Sequence, residues 1–132
     1  MTLVVDVSLV TAALIDSGPD GTWAEQLLVS DDLAAPHLMP VEVANILRRA
    51  SLVGDLSEDA ATLAHGDLQA LRVALFPYAP FADRAWELRK NLTIYDAWYV
   101  ALAETLEARL ATLDARLGRA AGPRCEFVIS PT

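Results

Sequence analysis

Four acidic side chains stand beside or inside apolar segments of this chain, where acidic residues are rare. They are Asp6, Glu42, Asp96 and Asp114. Carboxylates are almost never fully buried unless a partner compensates their charge. No Lys or Arg lies in the apolar stretch immediately around Asp6, Glu42 or Asp96. A shared divalent cation is the simplest common partner, and the sequence therefore predicts metal-dependent chemistry.

The side chains available as ligands favour a hard cation. Four carboxylates brought together repel one another, and some would keep a proton at neutral pH unless a cation lay between them. Oxygen ligands match Mg²⁺ or Mn²⁺, and one cysteine with two separate histidines argues against zinc. Such a site favours phosphodiester hydrolysis, because the ion polarises phosphoryl oxygens and lowers the pKa of a bound water.

Three polar residues are candidates for supporting roles at this site. Asn45 lies three residues after Glu42 on the same face of a predicted helix and offers a neutral oxygen donor or a phosphate contact. Ser8 and Thr112 flank the two strand-end aspartates. We expect their hydroxyls to hold a ligand or a water of the metal.

Two of the ten basic residues are the best candidates for contacts with the phosphates of a substrate. Arg49 lies seven residues after Glu42 on the same helix face, and Arg116 lies beside Asp114. Most other cations are expected to be solvated or in ion pairs worth little. The aromatic residues expected in the core or at an interface, rather than as base-stacking platforms, are Trp23, Trp86, Trp98 and Tyr99.

Each of the four acids also has a structural explanation when it is taken alone. Asp6 and Asp114 could cap the helices that follow them. Glu42 and Asp96 could favour the positive ends of their helix dipoles, worth roughly 0.3–1 kcal/mol each. The dipole does not explain why apolar residues surround both side chains, so the functional interpretation accounts for more of the pattern.

Composition is typical of one globular domain over residues 1–132. The chain is 54% hydrophobic and 21% charged, and its net charge of −8 weakens an interpretation as a generic nucleic-acid binder. An acidic surface suits a basic protein partner. No apolar stretch reaches the roughly 18 residues of a membrane span, and no basic segment precedes the first apolar run. We therefore expect a cytoplasmic protein with no membrane association.

Strands and helices are predicted to alternate along the chain. The predicted strands are Thr2–Val5, Leu33–Pro36, Val73–Phe76, Leu110–Leu113 and Glu126–Ile129. The predicted helix starts are Ser8, a capping box at Thr22–Glu25, Pro40, Ser57, Phe81, Thr93 and Ala115. This order predicts the α/β class, a central parallel sheet of four to five short strands flanked by helices. Acids at strand carboxyl ends and at the starts of the next helices can meet at one sheet edge.

Four segments of the chain resemble the VapC-type toxin ribonucleases of the PIN-domain family. They are Val4–Ser8, Pro40–Arg49, Thr93–Tyr99 and Leu110–Leu117, and together they span nearly the whole chain in order. The resemblance implies a PIN-like fold and Mg²⁺-dependent endoribonuclease activity. It also implies that Asp6, Glu42, Asp96 and Asp114 form the catalytic, metal-binding site. Finally, it implies a homodimer and a cognate VapB-type antitoxin that pushes a basic side chain toward the acids.

Other functions remain open on the sequence. A phosphoryl-accepting regulatory domain also keeps aspartates at strand ends, but it normally needs a lysine after a late strand, and Lys90 is the only lysine in the chain. A non-catalytic partner-binding module would use the same surface without cleavage. A phosphohydrolase acting on small molecules or DNA is a further alternative, because an acidic metal site does not by itself select RNA.

Overall fold

A single parallel sheet forms the centre of the molecule. The structure, a computed structural model, describes residues 1–131; Thr132, the last residue of the predicted domain, lies outside the described residues. The strands in this range are β1 (Thr2–Val5), β2 (Asp32–Pro36), β3 (Val73–Phe76), β4 (Arg109–Thr112) and β5 (Phe127–Ile129). Their order is β3-β2-β1-β4-β5, and every neighbouring pair is parallel. The predicted α/β class and parallel sheet are confirmed.

Helices cover the sheet. Over the described residues they are α1 (Val7–Ile15), α2 (Pro19–Ser30), α3 (Met39–Leu52), α4 (Glu58–Ala70), α5 (Ala82–Glu87), α6 (Ile94–Leu106) and α7 (Ala115–Gly118), with a 3-10 turn at Ala79–Phe81. The predicted caps Ser57 and Thr93 are confirmed, because each hydroxyl accepts a backbone N–H of the first helical turn. No helix among residues 1–131 is long and apolar enough to cross a membrane.

Strand β1 lies at the centre of the sheet and is its most buried element. Leu3, Val4 and Val5 are fully buried, as is Leu110 on the neighbouring β4. A parallel sheet covered by helices buries both of its faces, which is why these strands are continuously apolar rather than alternating. An acid that directly follows β1 is therefore held at a rigid position beside the core.

Two predicted helix starts are wrong. Ser8 does not cap α1; the helix begins at Val7, and the carboxylate of Asp6 accepts the Leu9 N–H instead. The Thr22 capping box lies inside α2, which begins one turn earlier at Pro19. Proline suits a first helical position because the lost N–H would have had no intrahelical partner there. The helix predicted to begin at Phe81 is α5, which begins at Ala82 and ends at Glu87.

The strand order reverses between β1 and β4. From β1 the chain runs outward to β2 and β3, then returns through α6 to β4 on the other side of β1. In open α/β sheets, ligands bind beside such a reversal, outside the carboxyl ends of the strands. Asp6 directly follows β1, and Asp114 lies two residues after the end of β4. The topology therefore places both strand-end aspartates at the edge where a ligand is expected.

Candidate active site

Asp6 is the most firmly held of the four acids. It is only 8% exposed, and it follows β1 at the first residue of the turn into α1. Its Oδ1 accepts the Leu9 N–H at 3.0 Å and the Ser8 hydroxyl at 2.7 Å, while its Oδ2 accepts the hydroxyl of Thr112. The structural expectation that Asp6 caps its helix is confirmed. These three hydrogen bonds occupy lone pairs on both oxygens, but they bring no positive charge to the carboxylate.

Thr112 and Ser8 join the carboxyl ends of β1 and β4. The Thr112 side chain is fully buried, donates to Asp6 and accepts the N–H of Asp114 at 2.9 Å. The Ser8 hydroxyl donates to Asp6 and accepts the Leu113 N–H at 3.0 Å. The sequence predicted that both hydroxyls belong to the site. The structure places them beside Asp6, where they fix its orientation.

Asp114 caps the short helix α7. Its Oδ1 accepts the Arg116 N–H at 3.0 Å and the Leu117 N–H at 3.4 Å. The Arg116 guanidinium lies 3.7 Å from the same oxygen, but its side chain is 88% exposed. An ion pair so exposed is worth little. Arg116 therefore lies at the rim of the acids without neutralising them.

Glu42 and Asp96 lie in the first turns of α3 and α6 and are half-buried. The Thr93 hydroxyl accepts the Asp96 N–H at 3.1 Å and so fixes the start of α6. Within residues 1–131, neither carboxylate forms an ion pair, and the one hydrogen bond to either side chain links Asp96 to the neutral Thr93 hydroxyl. Both charges are therefore half-buried without a paired cation, which is unusual unless a ligand binds there.

Burial and mutual repulsion raise the pKa of three of the four acids. Burial is the largest cause of the raised pKa of Asp6, opposed by its bonds to Thr112, Ser8 and the Leu9 amide and reinforced by the charge of Asp96. Burial also raises the pKa of Glu42, and the charges of Asp96 and Asp6 add to it. These acids therefore affect one another electrostatically, although they come from distant parts of the chain.

Asp96 connects this group to the fourth acid. Burial and then the charge of Asp114 raise the pKa of Asp96, while the Thr93 hydroxyl and the Arg116 guanidinium act in the opposite direction. The structure thus brings the acids predicted from sequence to a common edge. We call Asp6, Glu42, Asp96 and Asp114 the acidic site.

The ligand chemistry of the acidic site fits a hard divalent cation, because its donors are carboxylate oxygens with uncompensated charge. The four carboxylates lie further apart than the ligands of a single bound ion. Among the described residues, no three His, Cys, Asp or Glu side chains are grouped closely enough to hold one metal ion. The acidic site therefore has the charge and chemistry for Mg²⁺, while its side chains are spread wider than a single ion requires.

Tyr99 also lies near the acids, a position that the sequence analysis did not predict. It is 4% exposed, which confirms its predicted burial, and its hydroxyl has no hydrogen-bond partner among residues 1–131. Burial and the charges of Glu42, Asp6 and Asp96 raise its pKa. Its position three residues after Asp96, on the same face of α6, is the sequence signal that could have found it.

The remaining predicted residues make no hydrogen bond to the acidic site within residues 1–131. Asn45 and Arg49 are exposed on α3, and no hydrogen bond or ion pair joins them to the acidic site in the described structure. Trp86 was expected to be a core or interface residue, but a core position is wrong, because it is 59% exposed. Trp23 and Trp98 are partly buried against the core, as expected.

Comparison with known proteins agrees with this arrangement. The model of the PIN domain matches residues 3–123. Ribonuclease VapC1 of Mycobacterium tuberculosis is 41% identical over 125 residues, covering 94% of each chain. The chain belongs to the PIN-domain family of VapC ribonucleases. A second VapC-family relative, VapC ribonuclease Mb0985 of Mycobacterium bovis, is 37% identical over 129 residues, covering 98% of each chain.

Solved structures of the VapC family share the fold. The crystal structure of VapBC2 from Rickettsia felis, bound to a DNA fragment from its promoter, matches with a TM-score of 0.71 over 98% of both chains, at 14% sequence identity. At that identity the likeness establishes the fold alone. The predicted PIN-like fold and the resemblance to VapC ribonucleases are both confirmed.

Proposed function

We propose that this VapC-family chain is a Mg²⁺-dependent endoribonuclease that acts as the toxin of a toxin–antitoxin pair. The observation that carries the proposal is the acidic site, in which two half-buried carboxylates, Glu42 and Asp96, have no paired cation among residues 1–131. The relatives of more than 35% identity are named ribonucleases. Mn²⁺ is the alternative ion, because it accepts the same oxygen ligands.

The residues that would bind Mg²⁺ are the four acids, whose side chains would have to move closer to share one ion. When bound, the ion supplies a Lewis acid for the phosphoryl oxygens of RNA. Asp6 is the most restrained of the four acids, because hydrogen bonds from Ser8, Thr112 and the Leu9 amide fix both of its carboxylate oxygens. Glu42 and Asp96, which no cation in the described chain pairs with, are the acids able to take up the proton of the attacking water. Arg116, exposed at the rim, is placed to meet a phosphate.

The partner we propose is a VapB-type antitoxin with a basic segment. The chain has a net charge of −8, which attracts a basic partner over a long range. A cation of that partner placed at the acidic site would compensate the same charge as Mg²⁺ and would therefore inhibit cleavage. Solved relatives include VapBC complexes. We further propose a homodimer and a cytoplasmic location, where an RNA-cleaving toxin meets its substrate.

RNA cleavage by purified protein tests this function. We expect Mg²⁺-dependent cleavage that EDTA abolishes and that falls about 100-fold or more in Asp6→Asn and in Asp96→Asn. Asparagine is also a good helix cap, so Asp6→Asn should keep α1 folded. Asp67→Asn, an exposed acid on α4, is the matched control and should cleave at the wild-type rate.

A metal readout that does not depend on cleavage completes the test. Mn²⁺ bound to the wild-type protein, followed by electron paramagnetic resonance, should show a site that Asp96→Asn weakens and Asp67→Asn does not. Full cleavage by folded Asp6→Asn and Asp96→Asn would refute the assigned site. An aspartyl phosphate formed from a small phosphodonor, without RNA cleavage, would favour the phosphoryl-accepting alternative instead.

A further inference from the structure

Two aromatic side chains are exposed where α5 leads into α6. Trp86 near the end of α5 and Tyr95 in the first turn of α6 are each 59% exposed. Large aromatic residues contribute most when they are covered, so two exposed rings need an explanation. Tyr95 is also the immediate neighbour of Asp96 in the chain, in the same first turn of α6.

Trp86 is preorganised by a neighbouring cation. The guanidinium carbon of Arg89 lies 4.6 Å from the centre of the indole ring, and its Nη1 donates to the Trp86 carbonyl at 2.8 Å. The hydrogen bond restrains the Arg89 guanidinium, and the stacking restrains it against the indole ring, so part of the side-chain entropy is lost before a ligand binds. The two residues therefore form one stacked, positively charged pair.

The charge of this surface is positive although the chain as a whole is acidic. Lys90 follows Arg89, is exposed, and makes no hydrogen bond or ion pair within residues 1–131. Of the two acids near Trp86 in sequence, Glu87 is paired with Arg84 at 3.2 Å, and Asp83 is exposed three residues earlier. Arg89 lies over the Trp86 ring, and Lys90 is the next residue in the chain.

We propose that Trp86, Arg89, Lys90 and Tyr95 form a binding surface for single-stranded RNA that leads into the acidic site. Bases stack on the two rings, and the phosphates between them lie against Arg89 and Lys90. This proposal rests on the proposed ribonuclease function and names the part of the chain that holds its substrate. We call these four residues the stacking surface.

The chemistry of the stacking surface favours RNA over a protein partner. Aromatic rings interleaved with cations are the common solution for binding single strands, because every base has a face to stack and every nucleotide a charge to pair. An aliphatic helix would leave Arg89 and Lys90 without partners. The position next to Asp96 also suits a substrate that must reach the acids.

Binding of RNA in the absence of metal tests the proposal apart from cleavage. The probe is a short mixed-sequence single-stranded RNA labelled with fluorescein, titrated in EDTA and followed by anisotropy. We expect Trp86→Ala and Tyr95→Ala each to raise Kd roughly 5- to 100-fold. Lys90→Ala should lower the slope of log K against log salt by about 0.7.

Matched variants separate stacking from a merely structural effect. Trp86→Phe keeps a ring and should keep most of the affinity, while abolishing the quenching of tryptophan fluorescence that RNA causes in the wild type. Leu63→Ala removes another exposed apolar side chain, on α4, and Arg72→Ala removes another exposed cation, ahead of β3. Both should bind like the wild type. In cleavage assays with Mg²⁺, Trp86→Ala should raise KM and leave kcat nearly unchanged.

The outcomes distinguish this proposal from the proposed function. If the wild type cleaves RNA but Trp86→Ala and Tyr95→Ala bind and cleave normally, the stacking surface is overturned while the ribonuclease stands. If the wild type neither binds nor cleaves RNA, the ribonuclease function fails and the stacking surface fails with it. If Trp86→Ala instead converts a dimer to a monomer in sedimentation, the surface is a protein interface and the proposal is overturned.

Discussion

The acidic residues near the two ends of α6 differ in whether a cation pairs with them. Near the end of the helix, the Glu104 carboxylate accepts two hydrogen bonds from Arg84, from Nε to Oε1 at 2.7 Å and from Nη2 to Oε2 at 3.1 Å. It also accepts the backbone N–H of Arg124 at 2.7 Å. We call Arg84, Glu104 and the groups bonded to them the Arg84 cluster. At the start of the same helix, the Asp96 carboxylate forms no ion pair within residues 1–131, and its hydrogen bond is to the neutral Thr93 hydroxyl.

The pKa shifts of these two acids have opposite signs. Burial alone would raise the pKa of Glu104, but its bonds to Arg84 and to the Arg124 amide lower it below the ordinary value. Burial and the charge of Asp114 raise the pKa of Asp96. A half-buried acid with its partners stabilises the fold, whereas one without partners destabilises it until a ligand arrives. The difference marks one end of α6 as structural and the other as functional.

Removing Arg84 should break the structural half of this comparison and have the largest effect on stability. Arg84→Ala leaves Glu104 half-buried with only one donor, so the free energy of unfolding should fall by about 2–3 kcal/mol at pH 7. Because the folded-state pKa of Glu104 is lowered, this contribution should disappear as acid protonates the carboxylate. Urea unfolding at pH 7 and pH 4 measures both effects.

The matched variant for this prediction is Arg84→Lys. Lysine keeps the charge but cannot donate two hydrogen bonds to one carboxylate as arginine does. The free energy of unfolding of Arg84→Lys should therefore lie between those of the wild type and Arg84→Ala. A loss below about 0.5 kcal/mol in Arg84→Ala would make the cluster an ordinary surface ion pair. The RNA cleavage rate per folded molecule should stay near that of the wild type.

Thr112→Val tests how the acidic site is held together. Valine has nearly the same shape but removes the hydroxyl between Asp6 and the Asp114 N–H, so the free energy of unfolding should fall by about 1–2 kcal/mol. The lost hydroxyl lowers the pKa of Asp6 in the wild type. The acid limb of the pH–rate profile should therefore move to higher pH, since Asp6 then protonates more readily.

A second threonine serves as the control. Thr105 on α6 donates only to the Ala101 carbonyl of its own helix, at 2.9 Å. Thr105→Val should change stability by less than about 0.5 kcal/mol and leave the pH–rate profile where it is. An unchanged profile in Thr112→Val would show that this hydroxyl does not tune Asp6.

Glu42→Gln should have the smallest effect and the opposite sign. The folded-state pKa of Glu42 is raised, so ionised Glu42 disfavours the folded state; its neutral form does not. Without divalent ions, Glu42→Gln should raise the free energy of unfolding by about 0.5–1 kcal/mol at neutral pH. The gain should vanish as the pH falls through the pKa of Glu42.

Thermal unfolding with and without Mg²⁺ checks this expectation. The wild type should gain stability from Mg²⁺, and Glu42→Gln should gain less, because it has lost one ligand. Glu25→Gln, exposed on α2, should behave like the wild type. A destabilised Glu42→Gln would mean that this carboxylate is held by the fold and is not waiting for a ligand.

Local sequence rules predict the strands and most helix starts well. The apolar runs ending at Val5 and Phe76 need no distant information, because each is bounded by clear turn or cap residues. The sequence indicates Asp6 both as a cap and as a site residue, and the cap is confirmed. The acids are recognisable because a charge within an apolar run is rare and therefore conspicuous from residue types alone.

Long-range contacts could not be predicted from the sequence. The bond from Thr112 to Asp6 joins residues 106 positions apart, and the Arg84–Glu104 pair depends on how α5 packs against α6. The sheet order is likewise set by tertiary packing, since the same alternation of elements allows more than one order. Exposure of Trp86 was missed because composition cannot tell a core ring from a surface one.

The pairing of β1 with β4 has a consequence for synthesis of the protein. Asp6, Glu42 and Asp96 leave the ribosome before the strand Arg109–Thr112 that completes the central part of the sheet. Until that strand pairs with Thr2–Val5, the hydroxyl that orients Asp6 is missing. A growing polypeptide therefore carries three of the four acids before the acidic site is formed.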